Sequence, residues 1–103
     1  MTEPFFDEFL HVPARLSILA LLAPADWMDF RVVREHLDTS DSALSKQISA
    51  LQGAGYVEAR KERLGAQRGT RVRLTAQGRR AFAAHAAALQ RIVDAAGRNP
   101  GQE

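Results

Sequence analysis

The chain has 103 residues, 46% apolar and 25% charged, with a formal net charge of +2. This is enough for one modest core and too few residues for two. The absence of cysteine excludes disulfide staples, thiolate metal sites and thiol redox chemistry. No apolar run reaches membrane-spanning length, and the acidic start Met1–Glu8 does not read as a signal peptide. The expectation is a cytoplasmic single-domain protein that contacts no membrane.

In chain order, residues 4–10 place Phe5, Phe6, Phe9 and Leu10 close together behind Pro4. As a helix they form an apolar stripe that must dock on its own domain or on a second subunit. The stretch from His11 to Ala23, with Pro13 near its start, carries Leu16, Ile18, Leu19, Leu21 and Leu22. These lie almost all round a helix, which predicts burial on more than one side. After Pro24, Trp27-Met28 reads as a short strand, and Asp29 caps a helix over Phe30–Leu37 with Phe30, Val33 and Leu37 turned inward.

Only Asp38 and Thr39 separate this helix from the next, which Ser40 caps and which Gly53 and Gly55 stop. There Leu44, Ile48 and Leu51 share one narrow face, and Ser42, Lys46 and Ser49 share the opposite one. A surface helix ordinarily carries Glu and Lys outside. This one shows Ser and Ala around one Lys, as a face does that must approach something closely. Two short helices joined by so tight a turn read as a helix-turn-helix.

Beyond Gly55 the period changes to two. Residues 56–63 alternate Val57 and Ala59 against Glu58 and Arg60, and residues 70–75 alternate Val72 and Leu74 against Arg71 and Arg73. This is a hairpin, with Leu64–Gly69 as its tip and Arg68 projecting from it. Thr75 caps a last helix, Ala76 to about Ala96, in which Phe82, Leu89, Ile92 and Val93 form a sparse seam beside small residues. The predicted class is mainly α with a small β-hairpin (α+β), with four to five helices and a two- to three-stranded wing sheet.

Charge is unevenly spread. Residues 1–38 carry three basic and seven acidic side chains, whereas residues 39–80 carry nine basic and three acidic. A basic block that includes the exposed helix is the footprint of a polyanion partner. Catalysis has little support. His11, His36 and His85 are far apart, no phosphate loop or nucleophile elbow occurs, and Asp7 with His11 supplies two metal ligands, which do not make a site. No cofactor is expected.

The order helix, helix, exposed helix, hairpin, long helix, with Ser42–Leu51 running into Gly55-Tyr56-Val57 and with Val72–Arg79, resembles the winged helix-turn-helix transcriptional regulators. It is most similar to the short members related to the MarR and ArsR groups, and the likeness covers about residues 10–95. The resemblance implies a homodimeric regulator of transcription that binds double-stranded DNA, with a small-molecule effector as an additional partner. It also implies a wing-tip contact in the minor groove for Arg68, seven residues before Thr75. The acidic residue usual two positions earlier is replaced by Ala66, which leaves that Arg less preorganised.

The expected DNA-binding set is Ser40, Ser42, Ala43, Ser45, Lys46, Gln47 and Ser49 on the exposed helix, with Arg60, Arg63, Gln67, Arg68, Thr70 and Arg71 on the hairpin. Lys46 is chemically suited to guanine O6 and N7, Gln47 to adenine, Ala43 to a thymine methyl and the serines to phosphate. The expected dimer contacts are Phe5, Phe6, Phe9, Leu10, Ile18, Leu22, Leu89, Ile92 and Val93. The division is then residues 1–12 as an N-terminal dimerisation segment, 13–75 as the DNA-binding core, 76–96 as a dimerisation helix and 97–103 as a flexible tail. The reading from a different class is a winged-helix module that binds protein and not specific DNA; the retained cations argue for DNA.

Overall fold

The computed structural model describes residues 6–65 and 67–97. Phe5, expected at the dimer contact, lies outside them, as does Ala66. Four helices and a three-stranded sheet follow one another: α1 (Pro13–Leu22), β1 (Met28–Asp29), α2 (Phe30–Leu37), α3 (Asp41–Gly53), β2 (Val57–Leu64), β3 (Gln67–Leu74) and α4 (Ala76–Gly97). The sheet is antiparallel in the order β1-β3-β2, so the short strand ahead of α2 ties the helix-turn-helix to the hairpin. The α+β class and this architecture are those expected from the sequence.

Local chemistry sets the boundaries. Pro13 occupies the first turn of α1, where its missing N–H costs nothing. The Asp29 carboxylate accepts from the Arg31 N–H at 2.8 Å, and the Ser40 hydroxyl accepts from the Ala43 N–H at 3.1 Å. At the end of α2, Asp38 takes the left-handed conformation with φ 49°, and the Thr39 N–H donates back to the Arg34 carbonyl. That closure suits an Asx residue and turns the chain directly into α3. Gly55 performs the same function after α3 at φ +82°, with the Tyr56 N–H donating to the Leu51 carbonyl at 2.9 Å. The hairpin turn is tighter than the sequence implies. Leu64 pairs with Gln67, so positions 65 and 66 alone connect the strands, and Arg68 belongs to β3, opposite Arg63.

Leu44, Ile48 and Leu51 of α3 are buried with Ile18, Leu19 and Leu22 of α1, Val33 of α2, and Val57, Val72 and Leu74 of the sheet. Each such side chain stabilises the fold by about 1.5–3 kcal/mol. Leu10 joins this core with no exposed surface. Leu10, Ile18 and Leu22 therefore have no side-chain surface left for a second subunit, contrary to the sequence-based expectation. Only one face of α1 is buried; Ala14, Ser17 and Ala20 are exposed, because the other three helices and β3 all pack on the opposite side.

The N-terminal residues from Phe6 do not form a helix. They cross the molecule as a strap of turns, and Asp7 holds it. The Asp7 carboxylate accepts from the Phe9 and Leu10 N–H groups and from the Tyr56 hydroxyl, the last at 2.7 Å. Phe9 packs edge-on to Tyr56, and Phe6 packs against His85 of α4. Both are half-buried on their own domain.

A knot of backbone contacts joins α3, both long strands and α4. The Thr75 N–H donates to the Tyr56 carbonyl at 3.0 Å, the Thr75 hydroxyl donates to the Gly55 carbonyl at 2.6 Å, and the same hydroxyl accepts from the Gly78 N–H at 2.9 Å. A Cβ at residue 78 would lie 1.9 Å from the Tyr56 carbonyl oxygen, so only glycine permits this approach.

Two outcomes are expected. Gly78→Ala should destabilise the fold by about 1–3 kcal/mol, whereas Gly53→Ala, at a helical position with open space around it, should stabilise it by about 0.5–1 kcal/mol. Urea unfolding of both variants checks the contrast, and equal effects would dissolve the knot. Tyr56 is the sole tyrosine, and its hydrogen bond to Asp7, with burial, pushes its pKa up to about 12. A raised folded-state pKa means that this contribution to stability is intact below the ordinary value of 10.0 and is lost as pH rises through about 12. Ultraviolet titration of the phenol should show that value and its return toward 10.0 in Asp7→Asn; a wild-type transition near 10.0 would contradict the contact.

Candidate nucleic-acid interface

With Leu44, Ile48 and Leu51 buried, α3 turns Ser42, Ala43, Ser45, Lys46 and Ser49 outward, all exposed. Its first turn is held to α2 by the Arg34 guanidinium, 3.3 Å from the Asp41 carboxylate. Two residues expected on this surface are engaged by the protein itself. The Ser40 hydroxyl serves as the cap, and the half-buried Gln47 accepts at Oε1 from the Arg15 Nε at 2.9 Å. Arg15 also donates to the Phe9 carbonyl at 3.1 Å and lies over the Phe9 ring. One α1 side chain thus links the strap to the flank of α3.

Strand alternation sorts the charges of the hairpin. Val57, Ala59, Lys61 and Arg63 pair with Leu74, Val72, Thr70 and Arg68, so by the period of two these eight residues share the face on which the core and α3 lie. Glu58, Arg60 and Glu62 pair with Arg73, Arg71 and Gly69 and share the other face. On that outer face the cations are engaged: Arg71 with Glu62 at 3.3 Å, and Arg73 with Glu58 and Asp26. Arg60 and Arg73 both lie over the Trp27 ring, at 4.8 and 4.4 Å from its centroid. Arg60 and Arg71, which the sequence reading placed among the DNA contacts, are separated from α3 by the thickness of the sheet.

The cations of the inner face, and Lys46 on the outward side of α3, differ in their ion pairing. Among the described residues, Lys46, Lys61, Arg63 and Arg68 have no carboxylate within ion-pair distance, and all four are exposed. A groove of about 440 Å³ runs between α3 and the wing, lined by Ser45, Ser49 and Gln52 on one side and by Ala59, Lys61 and Thr70 on the other. Beside it, Arg31 of α2 and Arg68 line a second concavity. Helix and wing form one concave surface, which Phe30 and Ile48 also line; its carboxylates, Asp41 and Asp29, are engaged by Arg34 and by the Arg31 N–H.

Lys61, Gln52 and Arg31 belong to this surface although the sequence reading did not select them. Alternation from Val57 and Ala59 points to Lys61 directly. Gln52 and Arg31 carry no comparable signal, since only the packing of α3 against β2 brings Gln52 to the groove and only that of α2 against β3 brings Arg31 beside Arg68. Gln67 opens β3, and its side chain lies outside the description.

Comparison with known proteins places this geometry. The family model of the winged helix DNA-binding domain matches residues 14–93. An uncharacterized protein of Methanocaldococcus jannaschii is 32% identical over 68 residues, which are 66% of this chain and 74% of that one. Among solved structures, a transcriptional regulator homologue from Pyrococcus horikoshii OT3 superimposes with a TM-score of 0.81 at 25% identity, over 86% of this chain and 88% of its own. A MarR-family transcriptional regulator from Silicibacter pomeroyi does so at 0.59 and 27% identity, over 92% of this chain and 64% of its own. The resemblance drawn from the sequence is the one that these comparisons find. The chain belongs to the winged helix DNA-binding domain family.

Proposed function

We propose that the protein is a transcriptional regulator, acting as a repressor, that binds a palindromic operator in double-stranded DNA as a homodimer. The observation that carries this reading is the collection of free cations, Lys46, Lys61, Arg63 and Arg68, on the same face as the small-residue surface of α3. Short Ser and Ala side chains let the α3 backbone approach base edges in the major groove, where Lys46 reads guanine. The wing cations meet phosphate, and Arg68 has the physical motive to enter a narrow minor groove.

The second subunit docks on the distal half of α4. Ile92 and Val93 are 56% and 63% exposed there, beside the half-buried Leu89, and a helix of 22 residues extends about 33 Å. Two-fold pairing sets two copies of α3 in successive major grooves, about 34–36 Å apart. An effector that shifts the spacing of these copies controls affinity.

With an operator selected from random duplexes, Lys46→Ala should cost about 1–3 kcal/mol on the selected site and little on scrambled DNA. Lys61→Ala and Arg63→Ala should weaken both alike and reduce the slope of log affinity against log salt by about one. Arg60→Ala, on the outer face, should leave that slope nearly unchanged. Fluorescence anisotropy across a salt series reads all four; an Arg60 effect equal to that of Lys61 would overturn the assignment of faces. Ile92→Asp should convert a dimer to a monomer in sedimentation, and an unaltered dimer would move the interface off α4.

A further inference from the structure

The strap over residues 6–11 is fastened by a contact that neither the core nor the groove requires. His85 projects from α4 with no exposed surface, and the Asp7 main-chain N–H donates to its Nδ1 at 3.0 Å. A nitrogen that accepts carries no hydrogen, so the imidazole is neutral with its proton on Nε2. That Nε2 is buried and has no hydrogen-bond partner among the described residues. The ring is packed by Phe6 at 4.8 Å and by His11 at 5.6 Å between centroids.

Among the described residues, the titratable groups that face His85 are Asp7 and His11 of the strap. Tyr56, at the corner after α3, is joined to the strap through the Asp7 carboxylate. Arg15 of α1 meets the strap at Phe9. The Asp7 carboxylate already accepts from two N–H groups and a phenol, so it does not receive a new donor without rearrangement of the strap.

We infer that the strap is a proton-operated latch: protonation of His85 at Nδ1 replaces the acceptor of the Asp7 N–H with a donor, and residues 6–11 release from α4 and from the corner after α3. Burial, together with the nearby His11, holds the His85 pKa below its ordinary value, with Asp7 pulling weakly the other way. A histidine with a lowered pKa in the closed state leaves that state fully stable above the ordinary value of about 6.5. Closure is lost as pH falls from there toward the lowered value. Release also removes the Phe9 carbonyl and ring from Arg15, whose remaining partner is Gln47 on α3. The latch therefore reaches the flank of the recognition surface through one side chain.

Proton nuclear magnetic resonance tests the latch without DNA. The three histidines, His11, His36 and His85, are titrated while hydrogen exchange is followed at the Asp7 and Leu10 amides, with Val72 in the core as reference. The expected result is a His85 midpoint below about 6.5, with protection at Asp7 and Leu10 collapsing over the same range and Val72 unaffected. In His85→Asn, whose amide oxygen takes the place of Nδ1 and does not titrate, protection should persist through that range. A wild-type His85 that protonates while the strap amides stay protected overturns the proposal, as does identical opening in the Asn variant.

The effect on DNA rests on the duplex-binding function proposed above and has its own arm. Added positive charge alone strengthens duplex binding on acidification. The latch instead predicts a loss of about fivefold or more between pH 7.5 and 5.5, absent in His85→Asn. Strap opening without any duplex binding at pH 7.5 would leave the latch standing and defeat the DNA reading. Duplex binding with the same pH profile in both proteins would defeat the coupling through Arg15.

Discussion

The Thr75 side chain and the missing Cβ of Gly78 carry the geometry on which the rest of the molecule depends. Thr75 bonds the chain at Gly55 and Tyr56, where α3 ends and β2 begins, and it caps α4 in the same stroke. Gly78 lets the first turn of α4 lie directly on the Tyr56 carbonyl. The exit of the exposed helix, the root of the wing and the start of the long helix are thereby fixed at one point. The Tyr56 hydroxyl extends this junction to Asp7 and so to the strap. If the knot loosened, α3 and the wing would still be a helix and a hairpin, but they would no longer share one concave surface.

Electrostatics gains its direction from that arrangement. A net charge of +2 says little about a polyanion partner. The period-two pleat, however, sends Glu58 and Glu62 to the outer face, where they engage Arg73 and Arg71. On the inner face Lys61, Arg63 and Arg68 have no carboxylate within ion-pair distance among the described residues. Exposed ion pairs contribute little to stability, typically under about 1 kcal/mol. Here their larger effect is to neutralise one side of the sheet and leave the field of the other intact.

Local signals were legible in the sequence because their causes are local. The buried and exposed faces of α3 follow from a 3.6-residue period, and the caps at Asp29, Ser40 and Thr75 follow from short polar side chains ahead of apolar runs. What was not legible depends on residues distant in the chain. Nothing near Gln47 indicates Arg15, 32 positions away, and a cluster of phenylalanines announces burial without saying against what. Leu10 and Ile18 accordingly entered as surface for a partner and turned out to fill their own core. The alternation in their strands places Arg60 and Arg71 on the face away from α3 and Lys61 on the face toward it, a distinction that charge alone does not make. Gly69 reads as a turn residue in the sequence, whereas it pairs with Glu62 in the ladder and the turn is shorter than its glycines suggest.

In the function proposed here, α3 and the inner face of the wing act as one DNA-binding surface, positioned by the junction at Thr75. Amide chemical-shift mapping during titration with duplex DNA addresses it most directly. Perturbations are expected at Ser42–Ser49 and at Lys61, Arg63, Arg68 and Thr70, weakening together as salt rises, with Glu58, Arg60 and Arg73 little affected. Perturbations centred on the outer face of the sheet or on the end of α4, or none at low salt, would contradict it.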